Sequence, residues 1–377
     1  MKSLSKPNNS VAELLLAPLM LLYTIFLVVA LMTTSFEASA EPYLAVKNNL
    51  KCSACHVNPI GGGLRNSFGN IYGHTQLPVD VSDFTSAEIG KITDFVSVGG
   101  NLRYNGQFSE DDADQDSATF RVDSAQVYVA ITPKDSGLTL YLDQQIAPGA
   151  AVNREAYIQY QFSGQHYIKA GKMYVPYGLR LEDDTAFVRQ VTGFNFDSSD
   201  NGIELGLEYN QATVNLFVTN GTSSVSNNDD KFLYGIKAEK LFSGFRLGGT
   251  AVINTADENE ERLWNLYGGA VFGDFTFLTE INLIQTEQNS GPDLEEFVGL
   301  AEVNYQWRKG WNFKLTGEYY DPDRSFPNNH ETRYSLIVEY APVSNIQLRA
   351  GLRSSEGIPQ QPNRTGELFF LQSHVYF

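Results

Sequence analysis

The chain reads as all-β: a closed antiparallel transmembrane β-barrel of about sixteen strands, preceded by a small, mainly helical or irregular domain that plugs it. Three observations predict this. From Thr93 onward, short runs alternate apolar and polar residues with almost no helical period. The links between those runs alternate long and short. The chain closes on "LFFLQSHVYF", a last alternating run with Phe369, Leu371, Val375 and Phe377 on one face.

In chain order, residues 1–40 read as a secretory signal. Lys2 and Lys6 precede an apolar stretch, 14–32, and Ala38-Ser39-Ala40 forms a small-residue cleavage site. The stretch approaches bilayer-spanning length, so an uncleaved anchor is the competing reading. No later apolar run reaches that length, yet Phe and Tyr together number 44 of 377 residues. Strands that turn apolar residues to lipid and polar ones to a lumen keep mean hydropathy low in this way. The formal net charge of -17 makes nucleic acid and anionic headgroups poor partners and cations good ones.

Residues 41–92 are the second element, and they hold both cysteines of the chain, in Cys52-Ser53-Ala54-Cys55-His56. In an exported protein, C-x-x-C-H reads as the attachment site of one c-type heme. The two thiols add across the vinyl groups and the histidine becomes the proximal iron ligand. A redox dithiol would need a β-α-β setting that is missing, a zinc site would need further ligands nearby, and a bare disulfide leaves His56 unexplained. Glycines at 61, 62, 63, 69 and 73 would let backbone approach a flat macrocycle. Leu64, Phe68 and Ile71 fall on one face of a short helix, as core or cofactor wall. About fifty residues cannot build a large core alone, so a covalent heme or burial in the barrel has to complete it.

The second axial ligand is less determined by the sequence. Beyond the signal the only methionine is Met173, in the barrel, and the only other histidine before the barrel is His74. Ligation by His56 and His74 is the favoured pairing. An open or water-bound position, Met173, His166, His330 and His374 remain alternatives.

Residues 93–377 are the barrel. "FRVDSAQVYVAI" (120–131), "FTFLTEINLI" (275–284) and "YSLIVEYAP" (334–342) show the strand pattern, and the long acidic "SEDDADQDS" and "NTADENEE" stand against the short "PKDSG" and "FGD". Sorting of links by parity means two chemically different ends, which a sandwich or propeller has no reason to have. The pattern resembles bacterial outer-membrane barrels, with their short periplasmic turns and long extracellular loops, and terminal Phe377 resembles the signal that their assembly machinery reads. That resemblance implies the bacterial outer membrane, lipid around the barrel and acidic loops outside. "IKAGKMYVPYGLRLED" (168–183) resembles a strand of the phosphate-selective porins. The long loop after it is expected to fold inward, where Arg180 and Arg189 either line a constriction or are simply solvated.

The order of parts, one heme motif and then a barrel, resembles the fused outer-membrane cytochrome-porins of iron-oxidising bacteria, with Cys52, Cys55 and His56 matching the heme motif. The resemblance implies a plug that carries electrons between periplasmic electron carriers and an extracellular donor or acceptor, ferrous iron among them. The chain would then be an electron-transfer protein rather than a conventional enzyme. The apolar band of such a barrel is about 25 Å tall, so only a heme within the lumen approaches both sides. The competing reading is a diffusion porin with a periplasmic heme-bearing accessory or sensor domain; a third is a structural barrel with an unused motif.

Overall fold

The computed structural model describes residues 41–82, 90–113, 115–183, 185–194 and 198–377; the expected signal, 1–40, lies outside them. The strands are β1 Val96–Asp111, β2 Ser117–Ile131, β3 Leu138–Ala147, β4 Val152–Gln161, β5 Tyr167–Tyr174, β6 Ser199–Glu208, β7 Ala212–Thr219 and β8 Leu233–Phe242. They continue as β9 Phe245–Thr255, β10 Asn259–Phe272, β11 Phe275–Gln288, β12 Leu294–Arg308, β13 Trp311–Asp321, β14 Glu331–Tyr340, β15 Ile346–Glu356 and β16 Gly366–Tyr376. Each pairs antiparallel with its sequence neighbours, and β1 pairs with β16, so these sixteen strands close with no free edge. Among the described residues no helix is long and apolar enough to cross a membrane.

Alternation decides which way each side chain points. Along β11, Phe275, Phe277 and Ile281 are exposed on the outside, while Thr276, Glu280 and Asn282 are buried toward the lumen. At one end of the barrel the connections are tight: 209–211, 243–244, 273–274 and 309–310. Aromatic residues flank these turns. Phe242 stacks on Phe245 at 4.4 Å between centroids and Trp311 on Tyr340 at 4.2 Å, forming the girdle expected where hydrocarbon meets water.

The opposite end carries the long connections 175–198, 220–232, 322–330 and 357–365. Here the expected parity is softened. The acidic segments read as loops from the sequence are partly strand, because β1 and β2 stay paired to Ser109↔Ser117 and β9 and β10 to Glu260↔Thr255. Antiparallel pairing satisfies backbone N–H and C=O whatever the side chain, so a polar sequence alone does not end a hairpin.

Residues 41–82 lie inside this wall. Helix α1 (Pro42–Lys47) buries Tyr43, Leu44 and Val46 against Tyr267, Leu278, Val298 and Leu300 of the wall and against Leu179, Leu181, Phe187 and Val188 of the inward-folded segment 175–198. Helix α2 (Ser67–Thr75) follows in the plug, and a single turn, α3 (Phe187–Gln190), lies in the inward segment. Polar ties fix both. Lys51 Nζ reaches Glu208 Oε2 at 2.6 Å and donates to Ala212 O at 2.9 Å, Val79 N donates to Ala341 O at 2.9 Å, and Arg189 Nη2 meets Glu280 Oε2 at 2.7 Å. The plug is therefore sealed into the tight-turn end and the inward segment lies across the lumen beyond it.

Candidate functional site

The cysteine motif is shaped by its own backbone. Cys52–Ala54 is one 3-10 turn, with Cys55 N and His56 N both donating to Cys52 O at 3.1 Å. Residues three apart eclipse in such a turn, so the two thiols share a side. The chain then doubles back, with Val57 N donating to Leu64 O at 2.9 Å and Asn66 N to Cys55 O at 3.0 Å. Gly61, Gly62 and Gly63 make the reversal at φ of +92°, +75° and +61°, a left-handed run closed to most residues. The glycines thus serve close protein packing: a Cβ on Gly61 would sit 3.1 Å from Cys52 Cβ, and one on Gly63 only 2.1 Å from Tyr141 Oη.

Asn66 latches this turn to α2. Its Oδ1 caps the helix by accepting from Gly69 N at 2.9 Å, and its Nδ2 donates to Ser53 O at 3.2 Å and Ala54 O at 3.0 Å. The apolar face expected of this helix is not the buried one. Leu64 is 2% exposed but precedes the helix, whereas Phe68 and Ile71 are 48% and 41% exposed. The helix buries Gly69, Gly73 and His74 instead, because a Cβ on Gly69 would lie 2.0 Å from Cys55 O and only glycine permits that approach.

Cys52, Cys55 and His56 line one cavity of ≈ 240 Å³, together with Tyr72 of the plug and Tyr128 and Tyr376 of the wall. A single water needs about 10–15 Å³ of such space, so the cavity suits a body many times that size. Its wall is rich in cations, with Lys51, Arg65, Arg103, Arg180, Lys237 and Arg246 facing it against Glu41, Asp123, Glu182 and Glu239. The cysteines are not joined in a disulfide, and burial pushes both thiols up. Burial, reinforced by Arg65 and Arg180, pushes the His56 imidazole down to about 3, so it is neutral at physiological pH. His56 Nδ1 is buried with no hydrogen-bond partner among the described residues. Two reduced thiols on one side, a neutral imidazole and a cationic wall for carboxylates form a set that could hold a c-type heme.

The other sequence-selected residues scatter. His74, favoured as the second ligand, does not line the cavity. Its Nδ1 lies 3.0 Å from Asn345 Oδ1 and its Nε2 lies 3.3 Å from Ser82 O, two acceptors of which a neutral imidazole donates to one. Met173 is buried among Leu64, Tyr128, Tyr141 and Tyr157 and does not itself line the cavity. His166 accepts from Glu208 N at 2.9 Å at the tight-turn end, and His330 stacks on Tyr319 at the opposite end. His374 does line the cavity. Arg180 also lines it, donates to Gly61 O and lies over the Tyr174 ring at 4.4 Å, while Arg189 is consumed by Glu280.

A second, outer space of ≈ 550 Å³ extends toward the long-loop end. It shares Arg103, Asp123 and Glu182 with the inner cavity, and Arg103 Nη2 lies 2.6 Å from Glu182 Oε1 at this partition.

No family model matches the chain, and no curated protein matches it in sequence. Solved structures do match. A loop L8 deletion mutant of OmpT, an outer membrane protein of Vibrio cholerae, aligns at a TM-score of 0.59 with 16% identity, covering 75% of this chain and 99% of its own. The anion-selective porin from Comamonas acidovorans gives a TM-score of 0.57 at 10% identity, over 75% and 99% of the two chains. Salmonella typhi OmpF, in complex with daunomycin, gives 0.57 at 9% identity, over 75% and 97%. Likeness at such low identity speaks for architecture, and the architecture of this chain is that of a sixteen-stranded porin barrel.

Proposed function

We propose that this chain is an electron conduit of the bacterial outer membrane, with one heme c attached through Cys52 and Cys55 and ligated by His56 inside the barrel. The observation that carries the reading is that all three residues line a single lumenal cavity that meets the outer space at Arg103, Asp123 and Glu182. When bound, the heme supplies a reversible one-electron ferrous/ferric couple.

The chain's own residues hold and enclose that group. The 3-10 turn presents both thiols together, His56 offers a neutral nitrogen, and Arg180 and Arg246 supply positive charge for its carboxylates. The plug and segment 175–198 exclude bulk water and block free diffusion of solutes. Outside, Glu110, Asp111, Asp112 and Asp116 crowd the β1–β2 tip; Asp114 lies outside the described residues. Negative potential there concentrates small cations, which supports ferrous iron as a donor; periplasmic electron carriers are the acceptors in this reading.

A host with intact heme-attachment machinery tests this. A heme-stained denaturing gel should show a band that Cys52→Ala or Cys55→Ala abolishes, in a heat-modifiable protein of the outer-membrane fraction. A membrane-impermeant donor should reduce the heme in intact cells, and bilayers should show little conductance. An unstained wild-type band overturns the proposal, and an open channel favours a diffusion porin.

A further inference from the structure

We infer that His374 is the second axial ligand of the iron; this rests on the heme reading above. His374 lies on β16, three residues from the end of the chain, and its side chain is 2% exposed while lining the same cavity as His56. Register explains how so distant a residue arrives there. Closure of the barrel pairs Arg103 with His374 and Asn101 with Tyr376, so the last strand lies beside the first.

The hydrogen bonds around His374 determine which nitrogen carries its proton. Gln126 Nε2 donates to Asp143 Oδ1 at 3.3 Å, so Gln126 Oε1 faces the other way as an acceptor. It takes Asn101 Nδ2 at 2.9 Å and Tyr128 Oη at 3.1 Å. Asn101 Nδ2 also reaches Ser124 Oγ at 3.1 Å. Asn101 Oδ1 is thereby turned to His374 Nε2, and an acceptor at that place requires Nε2–H.

His374 Nδ1 is left with a lone pair. It is buried with no hydrogen-bond partner among the described residues. The group facing it, Glu182 Oε1 at 3.6 Å, is itself an acceptor held by Arg103 at 2.6 Å. An imidazole whose N–H is fixed by a carbonyl and whose other nitrogen lacks a donor is the arrangement that metal-bound histidines have. Ligation is one dative bond from that lone pair to iron, and no electron or proton need move. Neither His74 nor Met173 lines this cavity, so neither competes.

The test uses the purified full-length holoprotein, checked by heme stain and heat modification. Ferric absorption and electron paramagnetic resonance should show a low-spin wild type, a high-spin His374→Ala variant that added imidazole returns to low spin, and a His74→Ala variant unchanged from wild type. Low spin persisting in His374→Ala, or a stained wild type that is high spin, overturns the ligand assignment alone. An unstained wild type overturns the proposed function with it. If His374→Ala fails to assemble, His374→Met decides: it should stay low spin with a sulfur-to-iron charge-transfer band, and absence of that band counts against His374.

Discussion

Replacing Asn66 by Ala should unlatch the cysteine turn from the helix behind it while leaving the barrel unchanged. The side chain makes three hydrogen bonds, one to Gly69 N and two to the carbonyls of Ser53 and Ala54, at 2.9, 3.2 and 3.0 Å. Loss of an N-cap costs about 1 kcal/mol. Each further hydrogen bond contributes roughly 0.5–1.5 kcal/mol net, so local opening becomes easier by about 2–4 kcal/mol. At about 1.4 kcal/mol per tenfold, amide exchange in Ser67–Thr75 should accelerate roughly 30- to 1000-fold. Hydrogen exchange read by mass spectrometry measures this, with β10–β12 as the internal reference. Asn66→Ser keeps a capping oxygen and lacks the two donors, so it should recover about 1 kcal/mol of the effect. Unchanged exchange in α2 of Asn66→Ala, or equal acceleration in the barrel strands, would show that the latch does not hold the turn.

Gly63→Ala places a Cβ 2.1 Å from Tyr141 Oη at φ +61°, whereas Gly273→Ala meets open space at φ +60°. The second should cost only about 1–2 kcal/mol of backbone strain, while the first should also expel the reversal from its seat and sharply lower the heme-stained yield; equal yields would refute the packing account. Burial alone would raise the Asp183 carboxyl, but Arg353 and the Thr185 hydroxyl override it and hold it well below the ordinary value of 3.8. A depressed carboxyl stabilises at every pH above its ordinary value and loses that contribution as pH falls below it. Pepsin cleavage within 175–198 should therefore rise between about pH 4 and pH 2, and flat cleavage across that window would exclude the pair as the anchor. Changing Asp111, Asp112 and Asp116 to Asn should slow heme reduction by a small cationic donor at low salt and leave a neutral donor unaffected; equal rates with the cationic donor would remove the steering role.

The wall was readable because a barrel strand needs only one rule along its length. In 275–284 the outward Phe275, Phe277 and Ile281 and the inward Thr276, Glu280 and Asn282 follow directly from period two. The cysteine motif was readable for a similar reason, since its spacing is local. Contacts made by closure were not. Arg103 and His374 are set side by side by the β1–β16 seam, and nothing near either residue in sequence records that pairing. Proximity in sequence favoured His74, but α2 turns it toward Asn345 and Ser82. Phe68 and Ile71 are exposed for another physical reason: a helix inside a lumen can bury its glycines when a neighbouring backbone needs the room. The acidic tips are polar enough to look like loops, yet their backbones stay paired, and pairing decides where a strand ends.

The ties that seal the plug also order its folding. Tyr43 hydrogen-bonds to Glu339, 296 residues away, and Ser82 to Ser344, 262 residues away. Both partners belong to the last quarter of the chain, and closing contacts across so much sequence is entropically slow. The plug cannot find its seat until β14 and its successors exist, so the segment with the two cysteines remains accessible while most of the wall is made. Modification of those thiols thus has its opening early in biogenesis, and the final strand, by pairing with the first, shuts the door behind it.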